Sequence, residues 1–219
     1  MSLTFTNARV VTPERIINGG ITVDGDSIKS VFAGGCPEPL GEVVDCKGSY
    51  LTPGFVDIHI HGAYNASFFA ADPDDVNRAT AYHARYGTTS LVATTASGAF
   101  ENILAAVKNI ASCMAEGTEG ARILGAHLEG SYFNPKCSGA QNPAFLYPAE
   151  EKNYMPMVET GIIRRISASP EIGGVLDMAK KLTTAIGRLP HVFHIRSKFI
   201  LTHGTKIYKC HCFFSSKAM

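Results

Sequence analysis

The sequence predicts an α/β protein in which a small β-rich unit precedes part of a (β/α)8, TIM-type barrel. Three observations predict it. Short β-rich segments separated by Gly turns fill the first fifty residues, strands alternate with helical patterns from Pro53 onward, and two of those apolar strands end in residues able to bind metal.

In the first unit, 1–52, segments 3–11, 20–23, 28–32 and 43–45 read as strands, with Asn18-Gly19-Gly20 and Asp24-Gly25-Asp26 as hairpin turns. The period changes after Pro53. Strand 55–61 precedes Asp72-Pro73-Asp74-Asp75, an N-cap followed by a proline at the first helical position, which starts a helix running to about Gly87. Strand 88–95, helix 100–116, strand 122–129, a long Asn-, Pro-, Gly- and Ser-rich loop, helical segment 149–159, strand 162–168 and helix 173–185 follow. They make about four βα units in 53–186, whereas a complete barrel has eight and takes about 250 residues. The pattern is that of a barrel's first half.

With 45% hydrophobic and 18% charged residues, the 219-residue chain has the composition of a soluble globular protein, which excludes disordered and collagen-like classes. No run of 18 apolar residues marks a membrane span, and the N-terminus lacks an export signal, so a cytoplasmic protein with reduced thiols is expected. Residues 187–219 hold six of the 20 Lys+Arg and none of the 19 Asp+Glu, leaving the remainder at a net charge of −5. That acidic body offers no basic face for nucleic acid. The basic segment 187–219 reads as a poorly ordered tail. Its His191, His194, His203, Cys210, His211 and Cys212 lack the tight spacing of structural zinc sites.

The chemistry concentrates at two strand ends. Side chains at i and i+2 of a strand point the same way, so His59 and His61 present their imidazoles together. Taken alone, such a pair fits a solvated strand end as well as a metal site. Glu129 ends the apolar strand 122–129, where a carboxylate needs a partner, and imidazole nitrogen with carboxylate oxygen suits a divalent Zn or Fe ion. One or two ions are compatible, since a carboxylate can bridge. His127 shares the parity of Glu129 and is expected as a satisfied interior residue, and Asp57 as a residue that orients a histidine. Asp72 and Asp74 belong to the helix start. Lys136 and Cys137 lie in the loop after Glu129, which is placed to contact substrate, with Lys136 expected to be solvated and Cys137 without a paired base.

Pro53-Gly54-Phe55-Val56-Asp57-Ile58-His59-Ile60-His61-Gly62 and Gly87-Thr88-Thr89 resemble the amidohydrolase superfamily. Gly125-Ala126-His127-Leu128-Glu129-Gly130, Asn134-Pro135-Lys136, Gly139-Ala140-Gln141-Asn142-Pro143 and Ser169-Pro170-Glu171 resemble, within it, the N-acetylglucosamine-6-phosphate deacetylases. The resemblance covers roughly 3–185. It implies metal-dependent removal of the acetyl group from N-acetylglucosamine 6-phosphate, with His59, His61 and Glu129 as metal ligands and Ala140 and Gln141 binding the sugar phosphate. It also implies a small-molecule amino-sugar phosphate as partner and a homodimeric full-length enzyme. Ser131 replaces the family's usual proline, which bears on the loop's conformation. The family's catalytic aspartate, two further histidine ligands and a substrate-gripping arginine and histidine belong to later strands, and no motif for them follows Ala185. The basic 187–219 reads as a shifted reading frame would, so no catalytic residue is assigned in this chain. Alternatives are an inactive fragment retaining partial metal binding, or an amidohydrolase of cyclic amides or purines.

Overall fold

A computed structural model describes residues 1–185 and the backbone of 192–195, 199–203, 206–210 and 213–214, with side chains described for 1–182. The chain divides into two units, Met1–Gly54 and Phe55–Met219.

The first unit is a sheet built on β1 (Ser2–Val11), which pairs antiparallel with β2 (Ile16–Asp24). β2 continues antiparallel into β3 (Ser27–Ala33), while β4 (Glu42–Asp45) and β5 (Tyr50–Leu51) pair parallel with β1. Gly25-Asp26 forms the expected β2–β3 turn, with Gly25 at φ 60° and Asp24 opposite Ser27. Asn18-Gly19-Gly20 does not turn. These residues lie inside β2, where a Cβ on Gly19 would strike the Phe32 carbonyl and one on Gly20 the Phe5 carbonyl. The glycines admit close backbone approach instead of reversing the chain. The β1–β2 connection falls at Thr12 to Arg15, closed by the Thr12 hydroxyl donating to the Arg15 carbonyl at 2.7 Å.

The second unit opens with β6 (Phe55–Ile60) and a small hairpin of β7 (Gly62–Ala63) and β8 (Ala66–Ser67). There follow α1 (Pro73–Arg85), β9 (Thr88–Thr94), α2 (Phe100–Glu116), β10 (Arg122–Glu129), α3 (Glu151–Val158), β11 (Ile163–Ala168) and α4 (Val175–Ala185). β6, β9, β10 and β11 are parallel neighbours in that order, the right arrangement for the first half of a barrel. β12 (Val192–Ile195) lies parallel beside β11, β13 (Phe199–His203) and β14 (Lys206–Cys210) form a hairpin, and β15 (Phe213–Phe214) pairs with β12. The side chains of the candidate tail ligands, and the expected disorder of the rest of 187–219, lie outside the described residues.

Local chemistry explains these elements. Asp72 caps α1, its carboxylate accepting from the Asp74 N–H at 3.0 Å, with Pro73 in the first turn. On α2, Ile103, Ala106, Val107, Ile110 and Cys113 are buried at helical spacing and face the sheet. The core joins them to Leu91 and Ala93 of β9, Ile123, Ala126 and Leu128 of β10, and Ile163 and Ile166 of β11. Each large aliphatic among them contributes about 1.5–3 kcal/mol by leaving water. Phe55, Val56 and Ile58 of the edge strand β6 remain more than half exposed.

Leu91 is completely buried on β9, between β6 and β10. Leu91→Ala is expected to lower unfolding free energy by about 2–5 kcal/mol, read as a drop in the urea midpoint at unchanged m.

Candidate metal centre

β6 and β9 part company near the end of β6. Their register jumps between Asp57 opposite Leu91 and Ile60 opposite Ala93, so the backbone of 58–59 loses its ladder partner. Side chains take over the orphaned groups. The Asp57 carboxylate accepts from the His59 N–H at 2.9 Å, and the Thr94 hydroxyl accepts from the Ile60 N–H at 3.0 Å. Asp57, expected to orient a histidine, does so through the backbone that carries His59.

From this strand end His59 and His61 turn toward β10. Their Nε2 atoms lie 3.0 and 2.9 Å from the same oxygen of Glu129, Oε2. The His59, His61 and Glu129 ligand atoms lie within 4.8 Å of one another, forming one group able to hold an ion. Metal–nitrogen bonds of about 2.0 Å at tetrahedral angles would set neighbouring ligand atoms about 3.3 Å apart. The observed imidazole–carboxylate spacings are close to that, so two nitrogens and one oxygen fit a divalent metal ion in both chemistry and distance. The imidazoles are over a third exposed and the Glu129 side chain only 11% exposed, so the group opens to solvent on the histidine side.

Burial alone would raise the Glu129 carboxyl, but hydrogen bonds from His61 and His59 outweigh it and bring the pKa down to about 2. The carboxylate is ionised at neutral pH, as a ligand must be. Gly130, at φ 109°, turns the chain just after it, where a Cβ would strike the Ser97 hydroxyl.

His127 is fully buried beneath the group, its ring 4.7 Å from that of His59 and perpendicular to it. Its Nδ1 meets the Thr94 hydroxyl at 3.2 Å and its Nε2 the Ser167 hydroxyl at 2.8 Å. Burial, with help from Arg165 and His59, pushes its pKa down to about 2, so the ring is neutral. Both nitrogens are engaged, which matches the interior role expected of it.

The loop after Glu129 is strapped across the strand ends. Asn134 and Asn142 cap two 3-10 turns, Pro135–Cys137 and Pro143–Phe145, by accepting from the N–H groups of Lys136 and Ala144. The Gln141 side-chain oxygen accepts from the Ser97 N–H at 2.8 Å, and Asn134 donates to Glu171 at 3.0 Å. Ala140 and Lys136 are exposed, while Gln141 and Cys137 are half-buried. Gln141 is thus tied to the β9 end of the sheet. Ser131, in place of the proline, adopts φ 64°, with its N–H donating to the Ser97 hydroxyl at 3.0 Å.

Two neighbours of the centre escaped sequence reasoning. Ser167 and Arg165 sit on β11 opposite Glu129 and His127, respectively. Their signal was the polar content of strand 162–168, where Arg164, Arg165 and Ser167 interrupt the apolar run and charge is costly without partners.

Residues 42–116 match the amidohydrolase family. The chain is 33% identical to N-acetylglucosamine-6-phosphate deacetylase of Vibrio furnissii, over 66% of this chain and 35% of that protein. It is 30% identical to the Bacillus subtilis N-acetylglucosamine-6-phosphate deacetylase, over 78% of this chain and 45% of that protein. The crystal structure of N-acetyl-D-glucosamine-6-phosphate deacetylase from Mycobacterium smegmatis superimposes with a TM-score of 0.73 at 26% identity, covering 89% of this chain and 53% of that one. The chain therefore spans between about a third and a half of the length of these relatives.

Glu129→Gln keeps the side chain's size but removes its charge, and is expected to weaken Zn2+ or Co2+ binding by at least about a hundredfold in a calorimetric titration. Affinity equal to the parent's would place any bound metal elsewhere.

Proposed function

We propose that this chain, which matches the amidohydrolase family over residues 42–116, carries the metal-ligand half of a site that hydrolyses the acetamido group of N-acetylglucosamine 6-phosphate to acetate and glucosamine 6-phosphate. The observation that carries this reading is the convergence of His59, His61 and Glu129 from two strand ends upon one point. The loop from Gly130 to Pro143, anchored directly behind that point, supports the sugar-phosphate class, with Ala140 and Gln141 contributing to its binding. A divalent ion held there, Zn or Fe, would polarise the carbonyl and acidify a water.

This chain's own residues prepare that chemistry. Before an ion arrives, two imidazoles hydrogen-bond the Glu129 carboxylate and hold it ionised, and an ion would take the place of those hydrogens. His127, neutral and held at both nitrogens, forms an uncharged floor beneath His59. Thr94 holds both Ile60 and His127, so one hydroxyl sets the relation between β6 and β10.

A second reading is favoured by the match to only 35% and 45% of the two curated relatives: a fragment that binds metal and does not turn over. Acetate release from N-acetylglucosamine 6-phosphate and bound metal, measured on one sample, separates the two. The 219-residue chain alone is expected to bind metal and release no acetate. Turnover would show that these residues suffice, hydrolysis of a cyclic amide or purine would change the reaction class, and failure to bind any divalent ion would sink both readings.

A further inference from the structure

Arg165 is the least expected residue near the metal centre. It rises from the middle of β11, its residue is 8% exposed, and its Nε is buried without a hydrogen-bond partner among the described residues. Its Nη1 donates to the Ile58 carbonyl at 3.2 Å, joining positions 107 residues apart. β9 and β10 lie between the two strands. In a flat sheet three strand spacings would put β6 and β11 about 14 Å apart, beyond an arginine's reach. The bond exists because the sheet curls, and it closes across the concave face.

Its acceptor matters. Ile58 lies in the stretch of β6 where the β6–β9 register jumps, immediately before His59. The His59 N–H in that stretch is satisfied by Asp57, within β6 itself, so Arg165 supplies the tie from the far side of the sheet. Burial draws the guanidinium's pKa down and the Glu129 carboxylate opposes this, so the cation and the carboxylate share one electrostatic neighbourhood.

We infer that Arg165 is a positioning residue for the His59–His61 pair: by holding the Ile58 carbonyl it fixes the diverging end of β6 at the separation from which both imidazoles reach Glu129. The inference rests on the metal-centre reading, and goes beyond it by assigning the centre's geometry to a residue that touches no ligand atom. A planar, multi-donor guanidinium suits a carbonyl held across a dry gap, which a lysine ammonium reproduces only in charge.

The test compares the parent with Arg165→Met, Arg165→Lys and Arg164→Met, the last removing a neighbouring guanidinium that bonds to the local Gly161 and Ile163 carbonyls. Co2+ affinity and the visible Co2+ absorption spectrum are measured, with amide hydrogen exchange of 58–62 in the metal-free proteins. Arg165→Met is expected to weaken Co2+ binding about 10–100-fold, alter the spectrum and speed exchange in 58–62 at least about threefold, with 91–93 unchanged. Arg165→Lys should recover part of the affinity, and Arg164→Met should match the parent. Should Arg165→Met fail to fold, Arg165→Lys decides, being expected to differ from the parent in spectrum and exchange. Parental affinity, spectrum and exchange in the folded variants would overturn the inference. A parent that binds no Co2+ would refute the metal reading, while exchange in 58–62 would still decide whether Arg165 holds β6.

Discussion

An ionised carboxylate at the end of a buried strand must be met by donors or a cation, and Glu129 imposes that requirement on the rest of the second unit. Desolvation alone would favour its neutral form. The two imidazoles reverse this, and they can do so only if β6 ends beside β10 although β9 lies between them in the sheet. Curvature of the parallel sheet, packed from outside by α1 and α2, is what brings those ends together.

Side chains do much of the work that a regular ladder would do. Asp57, Thr94 and Arg165 take up backbone groups on β6 where its pairing with β9 is interrupted. Ser97 performs the same service for the loops, donating its N–H to Gln141 and accepting from the Ser131 N–H. An irregular strand end is thereby made as determinate as a regular one, and the candidate ligands project from it. The cost is an edge: the exposed Phe55, Val56 and Ile58 on the outermost parallel strand leave apolar surface and ladder groups of the kind that invite association.

Much of this was legible beforehand. The helix Phe100–Glu116 and the strand Arg122–Glu129 agree with their expected limits, because long amphipathic or apolar runs with clear turn residues at their ends leave little choice of period. The His59–His61–Glu129 grouping was legible too, since parity within a strand and position at its end are local properties. Asn18-Gly19-Gly20 was misread because a glycine that permits a turn and one that permits close strand approach look alike in sequence; Phe32 and Phe5, distant along the chain, decide which it is. The short β7–β8 hairpin and β5 were missed for a different reason, two-residue strands having no period to detect.

The amino-acid sequence by itself determined the alternation of strands and helices, the apolar faces, the cap at Asp72, and which ionisable residues end which strands. Those features depend on neighbours a few residues away. Only the tertiary structure decided that Asp57 serves a backbone N–H, that His127 is locked between Thr94 and Ser167, and that Arg165 reaches Ile58. Each depends on how far the parallel sheet bends and where its register slips. Those are sums over many weak packing contacts, and no local pattern of residues records them.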